Sequence, residues 1–169
     1  MRDMTKEALQ QAFSGESQAQ LKYLIYAEKA EAAGKINIAR LFRAVAHAEY
    51  VHAKNHFKAL EKLHTTAENL DDARGGEEFE VEEMYPAYDA IATLQDEKKA
   101  KTAIYYALEA EKIHRNMYEE AKDLVIAGKD MDGKRIYICP ICGFTHIGED
   151  DLPGNCPVCN VPNEKFRIF

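Results

Sequence analysis

"AHAEYVHAKNH", residues 46 to 56, is a helical stripe interrupted by groups that do not belong in a core. Counting through it in steps of three and four gives Ile38, Phe42 and Val45, then Glu49, His52 and His56. That spacing marks one face of an amphipathic helix, so a carboxylate and an imidazole lie one turn apart on the side expected to be buried. The same pattern recurs on either side. Leu9, Phe13, Glu16, Tyr23 and Ala27 share a face of a first helix, from Thr5 to about Ala33, which Gly34 stops. Ile104, Ala107, Glu111, His114 and Tyr118 do so on a fourth, over about 97 to 127, closing at Gly128. A third, over about 77 to 95, carries Glu77 and Glu80 in line with Met84, Tyr88 and Ile91. Pro86 leaves two placements for those two acids, on helix before a kink or in a loop. "HTTAENLDDARGG", 64 to 76, reads as a connector.

Each helix thus carries an acid on its apolar stripe. One such acid is ordinarily a boundary residue whose stem reaches water. Five together are different, because an unpaired carboxylate in an interior costs several kcal/mol and a domain has only about 5 to 15 kcal/mol of net stability. No Lys or Arg shares these stripes, so protons or a cation must compensate the charge. Glu49-x-x-His52 and Glu111-x-x-His114, with unmatched acids on the first and third helices, match the donor pattern of di-iron carboxylate bundles. Five ionised carboxylates, Glu16, Glu49, Glu77, Glu80 and Glu111, carry a charge midway between two ferrous and two ferric ions. Two manganese ions satisfy the same sum.

The chain has 169 residues with a net charge of −7, and its cations are scattered among acids. No basic stripe exists for nucleic acid. No apolar run approaches a membrane span, and the start, "MRDMTKEALQQAF", lacks the apolar core of a leader, so a cytoplasmic protein is expected.

After the charged, glycine-containing stretch "GKDMDGKR" the helical period ends, and all four cysteines follow in "YICPICGFTHIGEDDLPGNCPVC", 137 to 159. Paired Cys-x-x-Cys knuckles form a tetrahedral thiolate cage that suits zinc or a single iron, and the spacing leaves the metal open. A disulfide framework fits poorly with a helical chain in a reducing compartment.

"GESQAQLKY" (15 to 23), "AHAEYVHAKNH", "GEEFEVEEMYP" (76 to 86), "EAEKIH" (109 to 114) and the cysteine segment together resemble the rubrerythrin family, over essentially the whole chain and in the right order. The resemblance implies a mainly α protein: a ferritin-like four-helix bundle (1 to 128), a linker (129 to 135) and a small rubredoxin-like β and loop domain (136 to 169). It implies two irons held by Glu16, Glu49, His52, Glu77, Glu80, Glu111 and His114, with Glu49 and Glu111 bridging. One more iron would be held by Cys139, Cys142, Cys156 and Cys159. In the family one iron is thought to move between a carboxylate and a histidine, here Glu80 and His52, and the match on "MYP" starts helix three before Pro86. Tyr23 and Tyr85 match tyrosines whose hydroxyls bond near the cluster.

The activity implied is reduction of hydrogen peroxide to water. Peroxide takes two electrons, and a one-electron FeS4 centre refills the site from a donor such as rubredoxin or an NAD(P)H-dependent reductase. A homodimer is implied, in which one chain's FeS4 centre serves the other's di-iron site, and some members exchange helices between subunits. The connector, at about 43 Å extended, reaches either its own bundle or another chain. Two departures stand out. Asn160 follows Cys159 where rubredoxin knuckles generally have Gly, and Asn tolerates left-handed backbone. His56 lies on the stripe with no family role and is expected in the core or behind a ligand. Ferritin-like oxidation of ferrous iron is the rival activity, and a zinc-bearing structural protein a third.

Overall fold

A computed structural model describes all residues, 1 to 169. Five helices precede a three-stranded sheet: α1 (Asp3–Ala32), α2 (Ile36–Ala59), α3 (Thr66–Phe79), a π-helical turn (Glu80–Met84), α4 (Tyr85–Leu94), α5 (Lys98–Ile126), β1 (Ile136–Ile138), β2 (Thr145–Ile147) and β3 (Arg167–Ile168). The chain divides into two compact units, Met1–His64 and Thr65–Phe169. No helix is long and apolar enough to cross a membrane.

The first unit is a hairpin of α1 and α2, turned at Gly34 with φ +69°. Its seam is built from small residues. Ala39, Ala46, Ala53 and Leu60 recur every seven positions and are all buried, as is Ala27 across from them. A seven-residue repeat keeps one side of a helix against its partner, and alanine lets the backbones approach closely. Larger groups close the two ends. Phe13 stacks on Phe57 at 5.3 Å, and Phe42 meets Tyr26 at 5.6 Å and Tyr23 at 6.3 Å. The expected buried face of α2, through Ile38, Val45 and His52, flanks this seam and is open, with Ile38 48 % exposed. Three- and four-residue periodicity places residues on a common face without distinguishing a seam from the strip beside it.

The second unit corrects the connector. Residues 66 to 76 are helical, because Thr65 and Glu68 form a reciprocal capping box that starts α3 eleven residues earlier than expected. Gly75 and Gly76 therefore lie inside a helix, at a cost of about 1 kcal/mol each relative to alanine. Packing of α3 on α5 offsets this, helped by ion pairs from Lys122 to Asp71 (3.1 Å) and from Arg74 to Glu119 (3.0 Å). Pro86 causes no break. It sits in the first turn of α4, directly after the π turn, where its missing N–H is tolerated.

The cysteine domain is a sheet of order β2-β1-β3, all antiparallel. Its two knuckles repeat one hydrogen-bond scheme. The Cys139 N–H donates to the Phe144 carbonyl and the Cys156 N–H to that of Val161, while Gly143 and Asn160 return N–H bonds to the carbonyls of Cys139 and Cys156. Both return positions are left-handed, Gly143 at φ +80° and Asn160 at φ +62°, so asparagine fills the glycine position as expected. Tyr137, Phe144 and Phe166 form the core around the sulfurs, and Tyr106 and Ile113 of α5 pack against it.

Candidate metal centres

Glu16 of α1 and Glu49 and His52 of α2 bring their donor atoms within 4.8 Å of one another. Glu49 reaches His52 Nδ1 at 3.1 Å, and Glu16 lies 4.0 Å from the same nitrogen. A second triad has the same composition: Glu77 of α3 with Glu111 and His114 of α5, with His114 Nδ1 at 2.6 Å from Glu111. Both triads use one Glu-x-x-His pair and one acid from the neighbouring helix of the same unit.

Glu80 lies outside the second triad's closest group but within its field. Burial and then the charge of Glu111 raise its carboxyl above the ordinary range. It opens the π turn, whose extra residue per turn changes the direction of the side chains that follow. Glu77 is pushed up to about 7, first by burial and then by Glu111. His114 is raised as well, chiefly by its bond to Glu111. Glu77, Glu80 and His114 are thus all shifted toward their protonated forms, and a cation would displace those protons. The donor chemistry, oxygen and imidazole nitrogen, suits iron.

Tyr85 is raised by burial and then by Glu80, so its hydroxyl stays protonated beside the acids. Tyr23 packs among the aromatics of the first unit, 6.2 Å from Tyr26. Two neighbours of the second triad escaped the sequence reading. Tyr118, raised by burial and by Glu77 and Glu111, stands one turn beyond His114, so the stripe itself held that signal. Thr145 bonds His114 from β2, 31 residues away, and no local pattern announces it. His56 is half-buried near the end of α2 and belongs to neither triad.

The four cysteines are free thiols with Sγ pairs at 3.4 Å, Cys139 with Cys159 and Cys142 with Cys156. A tetrahedron with metal–sulfur bonds of about 2.3 Å has edges of about 3.8 Å, so the cage is close to metal-binding size. Burial pushes the Cys142 and Cys159 thiols up. At Cys156 burial is outweighed by the N–H groups of Cys159 and Val158, which bring it down.

Acid and imidazole donors on paired helices, followed by a four-thiol cage on a small sheet, define a ferritin-like carboxylate protein with a rubredoxin-like domain. Comparison with known proteins agrees. The rubrerythrin family model matches residues 7 to 122, and that of the rubrerythrin rubredoxin-like domain matches residues 137 to 167. Rubrerythrin-2 of Clostridium acetobutylicum is 42 % identical, covering 98 % of this chain and 97 % of its own. Nigerythrin of Nitratidesulfovibrio vulgaris is 32 % identical over 98 % of this chain and 86 % of its own. Solved structures of nigerythrin, in a mixed-valence and in a fully reduced, all-ferrous state, align with TM-scores of 0.58 at 32 % and 31 % identity, each covering 98 % of this chain and 86 % of the other. The chain belongs to the rubrerythrin family. Its donor groups fit two irons at the carboxylate and histidine clusters and one iron among Cys139, Cys142, Cys156 and Cys159.

Proposed function

We propose that this protein is a non-haem di-iron peroxidase that reduces hydrogen peroxide to two waters, using two electrons and two protons. The observation that carries this reading is the matched pair of acid and histidine triads together with a thiol cage seated on the helix of one of them. Glu16, Glu49, His52, Glu77, Glu80, Glu111 and His114 are the ligands of one centre, within a bundle domain of residues 1 to 128. The linker is 129 to 135 and the cysteine domain 136 to 169. Two ferrous ions held by these residues would supply the electrons for peroxide, and an iron held by Cys139, Cys142, Cys156 and Cys159 would supply one-electron replacement.

The protein's own groups handle the protons. Glu80, whose carboxyl is raised by burial and then by Glu111, is the group that would give a proton to peroxide and recover one from solvent. Tyr85 stays protonated through burial and donates a hydrogen bond at the same edge. In the first unit, His52 and Tyr23 are the corresponding candidates.

Three donors in each triad fall short of the ligands that two irons require, and the first unit leaves the apolar side chains of Leu21, Ile25, Ile38 and Leu41 exposed. A second copy of this chain covers those side chains, making a homodimer. The donor of electrons is a small redox protein such as rubredoxin or an NAD(P)H-dependent reductase. Reduced cysteines fit a cytoplasmic location.

Stopped-flow absorbance tests the activity. The iron-loaded, anaerobically reduced protein is mixed with hydrogen peroxide and, separately, with dioxygen. Faster oxidation of both centres by peroxide is expected. Faster oxidation by dioxygen would transfer the protein to iron oxidation and storage, and a colourless four-cysteine site would remove the electron path.

A further inference from the structure

Thr145 is buried at 3 % exposure on β2, where its backbone pairs with Ile138 of β1. Its hydroxyl donates to the Gly143 carbonyl at 3.0 Å, one residue beyond Cys142. The same oxygen lies 2.7 Å from His114 Nε2. A hydroxyl has one proton, and here Gly143 receives it. Both bonds form together only when His114 is the donor in the second and carries its proton on Nε2. A neutral ring with Nε2–H presents a bare lone pair at Nδ1, the nitrogen that faces Glu111 at 2.6 Å.

Two lone pairs at 2.6 Å repel unless a proton or a cation sits between them. The arrangement thus presets the histidine as a ligand through Nδ1. The support is rigid. Gly143 brings the knuckle against α5, where a Cβ at this position would lie 3.6 Å from that of Ala110, and Tyr106 and Ile113 pack into the domain core on the same helix.

We propose that Thr145 is the positioning residue of His114, fixing its tautomer and ring plane from the cysteine domain, so that the thiol cage and the second triad are mechanically one structure. The inference deepens the di-iron reading and rests on it. Groups that orient a metal-binding histidine through its other nitrogen typically change metal affinity by about 10- to 100-fold when removed.

The test uses the full chain with zinc at its metal sites and 15N in its histidines. Long-range proton–nitrogen spectra are expected to place the His114 proton on Nε2, slow to exchange. Thr145→Val keeps the shape and loses the hydroxyl. It is expected to speed that exchange and to weaken zinc binding at the helical site by about 10- to 100-fold in chelator competition. Thr145→Ser, which restores the hydroxyl, is expected to recover both. A proton on Nδ1 in the unmodified chain, or unchanged binding in Thr145→Val, overturns the proposal. If Thr145→Val disturbs the four-cysteine site, seen as lost FeS4 absorption in the iron form, the unmodified chain and Thr145→Ser decide it. No readout involves peroxide or dioxygen, so failure of the peroxidase reading is a separate result.

Discussion

His52 and His114 occupy the same place in the same four-residue motif, yet the protein treats them differently. His52 is 55 % exposed and bonded only through Nδ1 to its own helix, with Glu16 at 4.0 Å. His114 is 27 % exposed and held at both nitrogens, by Glu111 and by Thr145 of another domain. A motif sets which face a side chain leaves from, while its rigidity comes from whatever packs behind it. The buttressed histidine belongs to the triad whose helix α5 also packs against the thiol cage.

The largest test of this contrast is to delete each histidine. His114→Ala should lower ferrous-ion affinity by well over about 100-fold, since ligands matter more than the groups behind them, and His52→Ala should lower it less. Iron per chain after dialysis against a chelator ranks the two, and the reverse order would break the comparison. Glu80→Ala comes next. It should retain iron and lose about 100-fold in the rate of oxidation by peroxide, the usual size of a lost proton-transfer group. Rapid mixing of the reduced variant reads this, and an unchanged rate removes Glu80 from the chemistry.

Acid chemistry tests the second triad further. The Glu77 carboxyl, raised to about 7 by burial and by Glu111, binds more protons in the folded chain than in the unfolded one above the ordinary glutamate value. The stabilisation is therefore complete below that value and is lost as pH rises through about 7. His114, also raised, contributes with the same sign at higher pH. The metal-free chain should melt at lower temperature at pH 8 than at pH 5. Glu77→Gln should flatten that slope. Iron loading should reverse it, because the metal replaces the protons. Thermal melts across pH test all three. The smallest effect contrasts the starts of α2 and α3. Thr65→Ala removes a capping box and should cost about 1 kcal/mol in urea denaturation, whereas Lys35, the residue before α2, makes no side-chain cap to lose.

Much of the site was legible because metal ligands on helices obey helical arithmetic. Glu49, His52, Glu111 and His114 announce themselves by a three-residue step on an apolar stripe, and the knuckles by Cys-x-x-Cys. Asn160 also behaved as its left-handed tolerance suggested, at φ +62°. The reading failed where a local signal was outvoted or overlooked. Two glycines and a proline argued against one helix from Thr66 to Leu94, but a capping box and packing on α5 sustain it through a π turn.

The sequence alone therefore determined most of the helices, the cysteine knuckles, the ligand candidates and the family, since these depend on residue identity and spacing along one chain. Tertiary structure decided what spacing cannot encode. It set the alanine seam of the first unit and left the acid-bearing stripe open beside it. It divided the donors into two triads, and it placed Thr145 behind His114. Each of these depends on which distant surface packs against a given face, and hydrophobic periodicity is silent on the partner.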